Sequence, residues 1–223
     1  MIDGQSMKPL VMDTNPRNLV AAGYDGIGDA YLDRFGVSVV RRKWLGHLIE
    51  SLHSQGSRVL DLGCGAGIPV ARDLAALGHS VVGVDGSAQQ IVRARRNVPS
   101  ATFIEADMGE VEFGTASFEA VGAFYSITHI PAAQQGAIIS KIALWLKPGG
   151  TLVASFAAGE AGEWIGEWLG TTMFFGHGSE DATLRCLYDA GLNVRRSMVE
   201  QQDNEDAVFL WIEAERRSSP SGS

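Results

Sequence analysis

Asp61, Gly63, Cys64, Gly65 and Gly67 fall within seven residues at the end of the apolar run Arg58-Val59-Leu60-Asp61-Leu62. Glycines at every second position let a chain turn sharply and bring bare backbone against a ligand. An acid ahead of them suits an ammonium group and repels a pyrophosphate. Asp85, followed by Gly86, ends a second apolar run eighteen residues after Gly67. A carboxylate at such a strand end can accept both hydroxyls of a ribose. The pair of strand ends therefore points to a nucleoside cofactor. A nicotinamide-binding loop, Gly-x-Gly-x-x-Gly, would need glycine where Ile68 stands.

These residues need strands to end beside one another. From Arg58 onward, strand and helix patterns alternate. Strands are expected near 58–62, 80–84, 101–105, 118–124 and 151–156, and helices near 67–77, 88–97 and 132–146. Ser87 is a good N-cap for the second of these helices. A further helix near 179–190 precedes two strands, 192–201 and 206–214, that pair across Asp203-Asn204-Glu205. Such alternation builds an α/β, doubly wound, mostly parallel sheet, with ligands outside the carboxyl ends of the strands. Residues 18–53 read as helices and form an N-terminal cap. Residues 1–17 and 215–223 read as flexible. The stretch 157–178 is rich in Gly and Trp. Trp164 and Trp168, four apart, are read as sharing a helix face, with Glu163 and Glu167 on a neighbouring one.

Five segments in order resemble the class I S-adenosylmethionine-dependent methyltransferases, of the small-molecule, type 11/25-like group. They are Asp61-Leu62-Gly63-Cys64-Gly65-Ala66-Gly67, Asp85, Glu105-Ala106-Asp107-Met108, Phe118 through His129-Ile130, and Leu146-Lys147-Pro148-Gly149-Gly150. The resemblance implies a Rossmann-like seven-stranded sheet with an antiparallel last strand and one domain over 18–214. Within it, 18–56 is the cap, 57–156 the cofactor-binding core and 157–178 an aromatic, lid-like insertion. It implies S-adenosyl-L-methionine as cofactor and S-adenosyl-L-homocysteine as product. Asp61, Gly63, Cys64, Gly65, Asp85, Gly86, Asp107, Met108, Phe124 and Tyr31 would contact the cofactor. Asp107 would take the adenine amine and Met108 the ring. Tyr24, Tyr125, His129, Trp164, Trp168 and Phe174 would meet the acceptor. His129, an imidazole that can titrate near neutral pH, is the general-base candidate. His177 is a weaker one.

The expected reaction is methyl transfer to an oxygen or nitrogen of a small, partly aromatic molecule. Lys plus Arg is 18 and Asp plus Glu is 26, a net charge of −8, which disfavours nucleic acid and anionic membranes. The segment Ala123-Phe124-Tyr125-Ser126 lacks the Asn/Asp-Pro-Pro-Tyr motif of adenine and glutamine methyltransferases. No apolar run approaches the ~20 residues of a membrane span, and the first residues do not read as a signal peptide. Two cysteines, one inside the glycine loop, fit a reducing cytoplasm. No Cys/His cluster has metal-ligand spacing. The basic cluster Arg41-Arg42-Lys43 reads as a solvated helix face. Two other readings stay open: an NAD(P)-dependent oxidoreductase, and a non-catalytic cofactor-binding regulator.

Overall fold

The computed structural model describes residues 15–159, 161–203 and 205–218. The predicted flexible stretch at 1–14, Asn204 of the predicted turn and the tail at 219–223 lie outside them.

Three helices open the chain: α1 (Pro16–Ile27), α2 (Ala30–Phe35) and α3 (Val39–Glu50). Proline at the start of α1 costs no helical hydrogen bond, and the Asn15 side chain accepts from the Arg17 N–H at 3.1 Å. The helix therefore begins inside the stretch expected to be loose. Then follow β1 (Arg58–Leu62), α4 (Val70–Ala76), β2 (Ser80–Asp85), α5 (Ala88–Asn97), β3 (Thr102–Glu105) and β4 (Phe118–Ala123). A 3-10 turn at Ile127–His129 leads to α6 (Ala132–Trp145) and β5 (Leu146–Ala157). The chain continues through β6 (Gly162–Trp168), β7 (Thr171–His177), α7 (Glu180–Asp189), β8 (Leu192–Gln201) and β9 (Val208–Arg216). Ser87 caps α5 as expected, its hydroxyl accepting from the Gln90 N–H at 3.1 Å. Strand β9 runs through Arg216, so the tail begins later than position 215.

The main sheet has seven strands in the order β3-β2-β1-β4-β5-β9-β8. Strands β1 to β5 are parallel, and β9 runs antiparallel between β5 and β8. Period-two alternation sorts the apolar residues. Leu60, Val121, Leu152 and Ile212 join the core with Ile138, Ile142 and Leu187 of α6 and α7. Val59, Ala120, Val153 and Trp211 face the other way, against Trp44, Leu48 and Ile91 of α3 and α5. Trp44 stacks on Trp211 with ring centroids 5.4 Å apart and fixes α3 to β9.

Residues 162–177 do not form the helix read for Trp164 and Trp168. They form a separate two-stranded antiparallel hairpin, β6–β7, turning at Leu169-Gly170, both at positive φ. Trp164 and Trp168 still share a face, because four residues is also two strand periods. Glu163 and Glu167 then fall on the opposite face of the ribbon rather than a neighbouring one. Among the described residues no helix is long and apolar enough to cross a membrane.

Candidate functional site

The carboxyl ends of β1, β2, β3 and β4 open into one cavity of about 1000 Å³, measured with its mouth. Helix α1 lies across it, contributing Arg17, Ala21 and Tyr24, while Tyr31 of α2 and Arg41 of α3 close another side.

The first turn is made by Gly63, Gly65 and Gly67, at φ of +79°, +50° and +76°. That is the left-handed region where side chains are strained. Because the turn uses these residues, α4 starts at Val70, later than expected. The three glycines do different work. A Cβ on Gly63 would sit 2.2 Å from the Ser126 Cβ. One on Gly65 would meet nothing within 4 Å, so its bare backbone faces the cavity. Gly67 does not line the cavity; it packs against Phe103, Val98 and Ala94. It thus allows the close approach of the turn to α5 and β3.

Asp85 joins the first turn to the second. Its Oδ2 accepts from the Gly65 N–H at 2.8 Å and its Oδ1 from the Ser87 N–H at 2.9 Å. Burial raises its pKa, and these two N–H groups pull it back. Asp61 is 2% exposed and its Oδ2 has no hydrogen-bond partner. Burial, and then the Asp85 charge, push its pKa to about 7, opposed by the Ala71 N–H and the Arg41 guanidinium. A buried carboxylate oxygen without a donor is costly. It fits a site shaped to receive a cation. Asp107, at the end of β3, accepts from the Gly109 N–H at 2.7 Å and lies 3.7 Å from the Arg17 guanidinium.

All the residues expected to touch a cofactor line this cavity: Tyr31, Asp61, Gly63, Cys64, Gly65, Asp85, Gly86, Asp107, Met108 and Phe124. Burial raises the Cys64 thiol pKa, so it stays protonated. Of the residues expected at the acceptor, Tyr24, Tyr125 and His129 line the cavity and Trp164, Trp168 and Phe174 do not. Trp168 stands one layer out. It stacks on Phe35 at 6.0 Å and meets Tyr24 and Tyr31 edge-on at 6.3 and 6.2 Å. Trp164 is 45% exposed and touches Phe175, while Phe174 is fully buried. The physical reason is the hairpin: β7 packs on α1 and on the 3-10 turn, so its aromatic rings wedge between elements instead of entering the cavity. His177 ends β7 away from the lining.

His129 is buried and doubly engaged. Its Nδ1 is 2.8 Å from the Phe174 carbonyl oxygen and its Nε2 is 2.9 Å from the Tyr24 hydroxyl. Burial pushes its pKa down to about 4. Tyr125, at φ +57°, is held between Phe209 and Trp211, and burial raises its pKa.

Arg41 is the residue the sequence reading missed. It is 4% exposed and lines the cavity. Its guanidinium donates to the Phe35 carbonyl at 3.0 Å and the Tyr31 hydroxyl at 2.8 Å, and lies 5.0 Å from the Tyr125 ring centre. It joins none of the ion pairs found among the described residues. The available signal was spacing: Arg41 falls on the helical face of Trp44, Leu45 and Leu48, whereas Arg42 and Lys43 do not.

Residues 59–150 match the family model of a methyltransferase domain. An uncharacterized methyltransferase of Synechocystis sp. is 39% identical over 97 residues, 44% of this chain and 45% of that protein. A carboxy-S-adenosyl-L-methionine synthase of Colwellia psychrerythraea is 30% identical over 120 residues, 50% of this chain and 48% of that protein. The chain thus spans about half the length of these curated relatives. Among solved structures, the 1,6-didemethyltoxoflavin-N1-methyltransferase of Burkholderia thailandensis shares the fold with a TM-score of 0.70, at 19% identity over 97% of this chain and 94% of that one. That structure holds 1,6-didemethyltoxoflavin and S-adenosylhomocysteine. The glycine turn and the strand-end acids lie within the matched residues 59–150, which resemble a methyltransferase domain, and the chain shares the fold of the Burkholderia enzyme.

Proposed function

We infer that this protein transfers the methyl group of S-adenosyl-L-methionine to an oxygen or nitrogen of a small, partly aromatic molecule. The observation that carries this reading is that Asp61 and Arg41, both buried, line the same cavity. Asp61 offers a carboxylate oxygen without a donor, and Arg41 a guanidinium without an acid. An amino-acid zwitterion answers both, its ammonium on Asp61 and its carboxylate on Arg41. Neutralising each buried charge turns a cost of folding into binding energy. Asp85 is positioned for the ribose hydroxyls and Asp107 with Met108 for adenine. The open face of Gly65 lets the nucleoside approach the backbone.

When bound, the cofactor supplies a sulfonium methyl that is already electrophilic, so the protein's task is to hold donor and acceptor in line. Tyr24, Tyr125, His129 and Ile130 line the same cavity and offer aromatic rings, an aliphatic side chain and two phenol groups. That lining favours a small acceptor with an aromatic part, and the Burkholderia relative with its bound 1,6-didemethyltoxoflavin supports the class. The test is to incubate the protein with S-adenosyl-L-methionine and a panel of small phenols, aromatic carboxylic acids and aromatic amines. S-adenosyl-L-homocysteine release matched by a methylated acceptor is expected. Cofactor binding without turnover of any acceptor would favour the regulator, and protection by NAD(P)H alone the oxidoreductase.

A further inference from the structure

The hydrogen bonds around His129 fix where its protons are. A carbonyl oxygen only accepts, so Nδ1, 2.8 Å from the Phe174 carbonyl, carries the ring proton. Nε2 is then the bare nitrogen, and the Tyr24 hydroxyl, 2.9 Å away, must donate to it. The two rings stand edge to face at 90°. Neither imidazole nitrogen is therefore free to meet an acceptor. The phenol oxygen of Tyr24 keeps a lone pair, and Tyr24 lines the same cavity as Asp61, Gly65 and Asp85.

We propose that Tyr24 is the catalytic residue that receives the acceptor's proton, passing its own to Nε2 of His129. This rests on the methyl-transfer reading above. As the bond from the acceptor atom X to the methyl carbon forms, the carbon–sulfur bond breaks and its electron pair goes to sulfur. The X–H proton moves to the Tyr24 oxygen, and the Tyr24 proton moves to Nε2. One positive charge thus leaves the sulfonium and ends on the imidazolium, whose Nδ1–H still points at the Phe174 carbonyl. No oxidant or other reactant is needed. His129 acts through Tyr24 and is a positioning and proton-holding group.

The surroundings agree. Burial raises the Tyr24 pKa, so the resting group is a phenol able to donate. Burial lowers that of His129 to about 4, so the imidazolium sheds its proton once the product leaves. Tyr31 on α2, Asp85 on β2 and Arg41 on α3 are the ionisable groups whose charge reaches Tyr24. His129 is faced by Tyr24 from α1 and by Phe174 and Phe175 from β7.

The experiment uses S-adenosyl-L-methionine with whichever phenol or amine of the panel is methylated. It measures kcat against pH for wild type, Tyr24→Phe and His129→Gln, with S-adenosyl-L-homocysteine affinity measured alongside. Tyr24→Phe keeps the ring and its edge contacts. A loss of about 10²-fold in kcat is expected below the acceptor's own pKa, shrinking as pH rises past it, with cofactor affinity unchanged. His129→Gln should lose as much, and the double variant no more than either. An equal loss at every pH would reduce Tyr24 to a structural role and overturn the relay. So would a normal Tyr24→Phe enzyme beside a slow His129→Gln one. If no acceptor is methylated by wild type, the proposed function itself fails and the relay with it.

Discussion

Gly63 and Gly65 make the same backbone demand in different surroundings. Both sit at positive φ, yet an added Cβ meets Ser126 at one and open cavity at the other. Gly63→Ala is therefore expected to cost stability, at least about 2 kcal/mol from strain and overlap together. Gly65→Ala should cost only about 1–2 kcal/mol but place a methyl group where the cofactor is proposed to lie. Thermal melts with and without S-adenosyl-L-homocysteine separate the two. Gly63→Ala should lower Tm in both, and Gly65→Ala should lose most of the ligand-induced rise. The opposite pattern would move the cofactor away from Gly65.

The elements of the core were legible, because each carries its own signal. Leu60, Val82, Val121 and Leu152 alternate with residues of the opposite face, and Ser87 and Gly78 punctuate the helices. The hairpin was not legible. Trp164 and Trp168 fit a helical spacing of four as well as two strand periods, and only pairing with 171–177 decides between them. Arg41 was hidden for a related reason: its neighbours in sequence are solvated, and its burial depends on Tyr31, Phe35 and Tyr125 meeting around it. The hairpin's place against α1 has its own consequence. Trp168 touches Phe35, Tyr24, Tyr31 and Phe175, so it joins β6 to α1 and α2. Trp168→Ala should cost about 1–3 kcal/mol, seen as a Tm lower by several degrees, and should weaken S-adenosyl-L-homocysteine binding through Tyr24 and Tyr31. An unchanged affinity would show that the cap holds its place without the hairpin.

Across the whole molecule, the site holds buried acids at a cost to the unliganded fold. Asp61 titrates near 7 when folded and near its ordinary 3.8 when unfolded. Below about pH 4 it is protonated in both states and costs nothing. Between about 4 and 7 the folded state keeps the proton more tightly, so stability falls as pH rises and the penalty is complete above 7. Asp61→Asn is expected to be more stable than wild type at pH 8, by an amount on the order of a few kcal/mol, and equal to it near pH 4. Denaturant titrations at the two pH values check this. Equal stability at pH 8 would mean that Asp61 is not buried as a charge. The same variant should bind the cofactor more weakly, which is the usual exchange of stability for function.

Everything proposed for this protein requires the glycine turn and its flanking acids to hold S-adenosylmethionine. Calorimetry with S-adenosyl-L-homocysteine on wild type and Asp85→Ala tests it most directly. One site per chain is expected in wild type, with affinity at least about tenfold weaker in Asp85→Ala, the loss of roughly one charge-assisted hydrogen bond. No binding by wild type, or the same affinity in both proteins, would contradict the account.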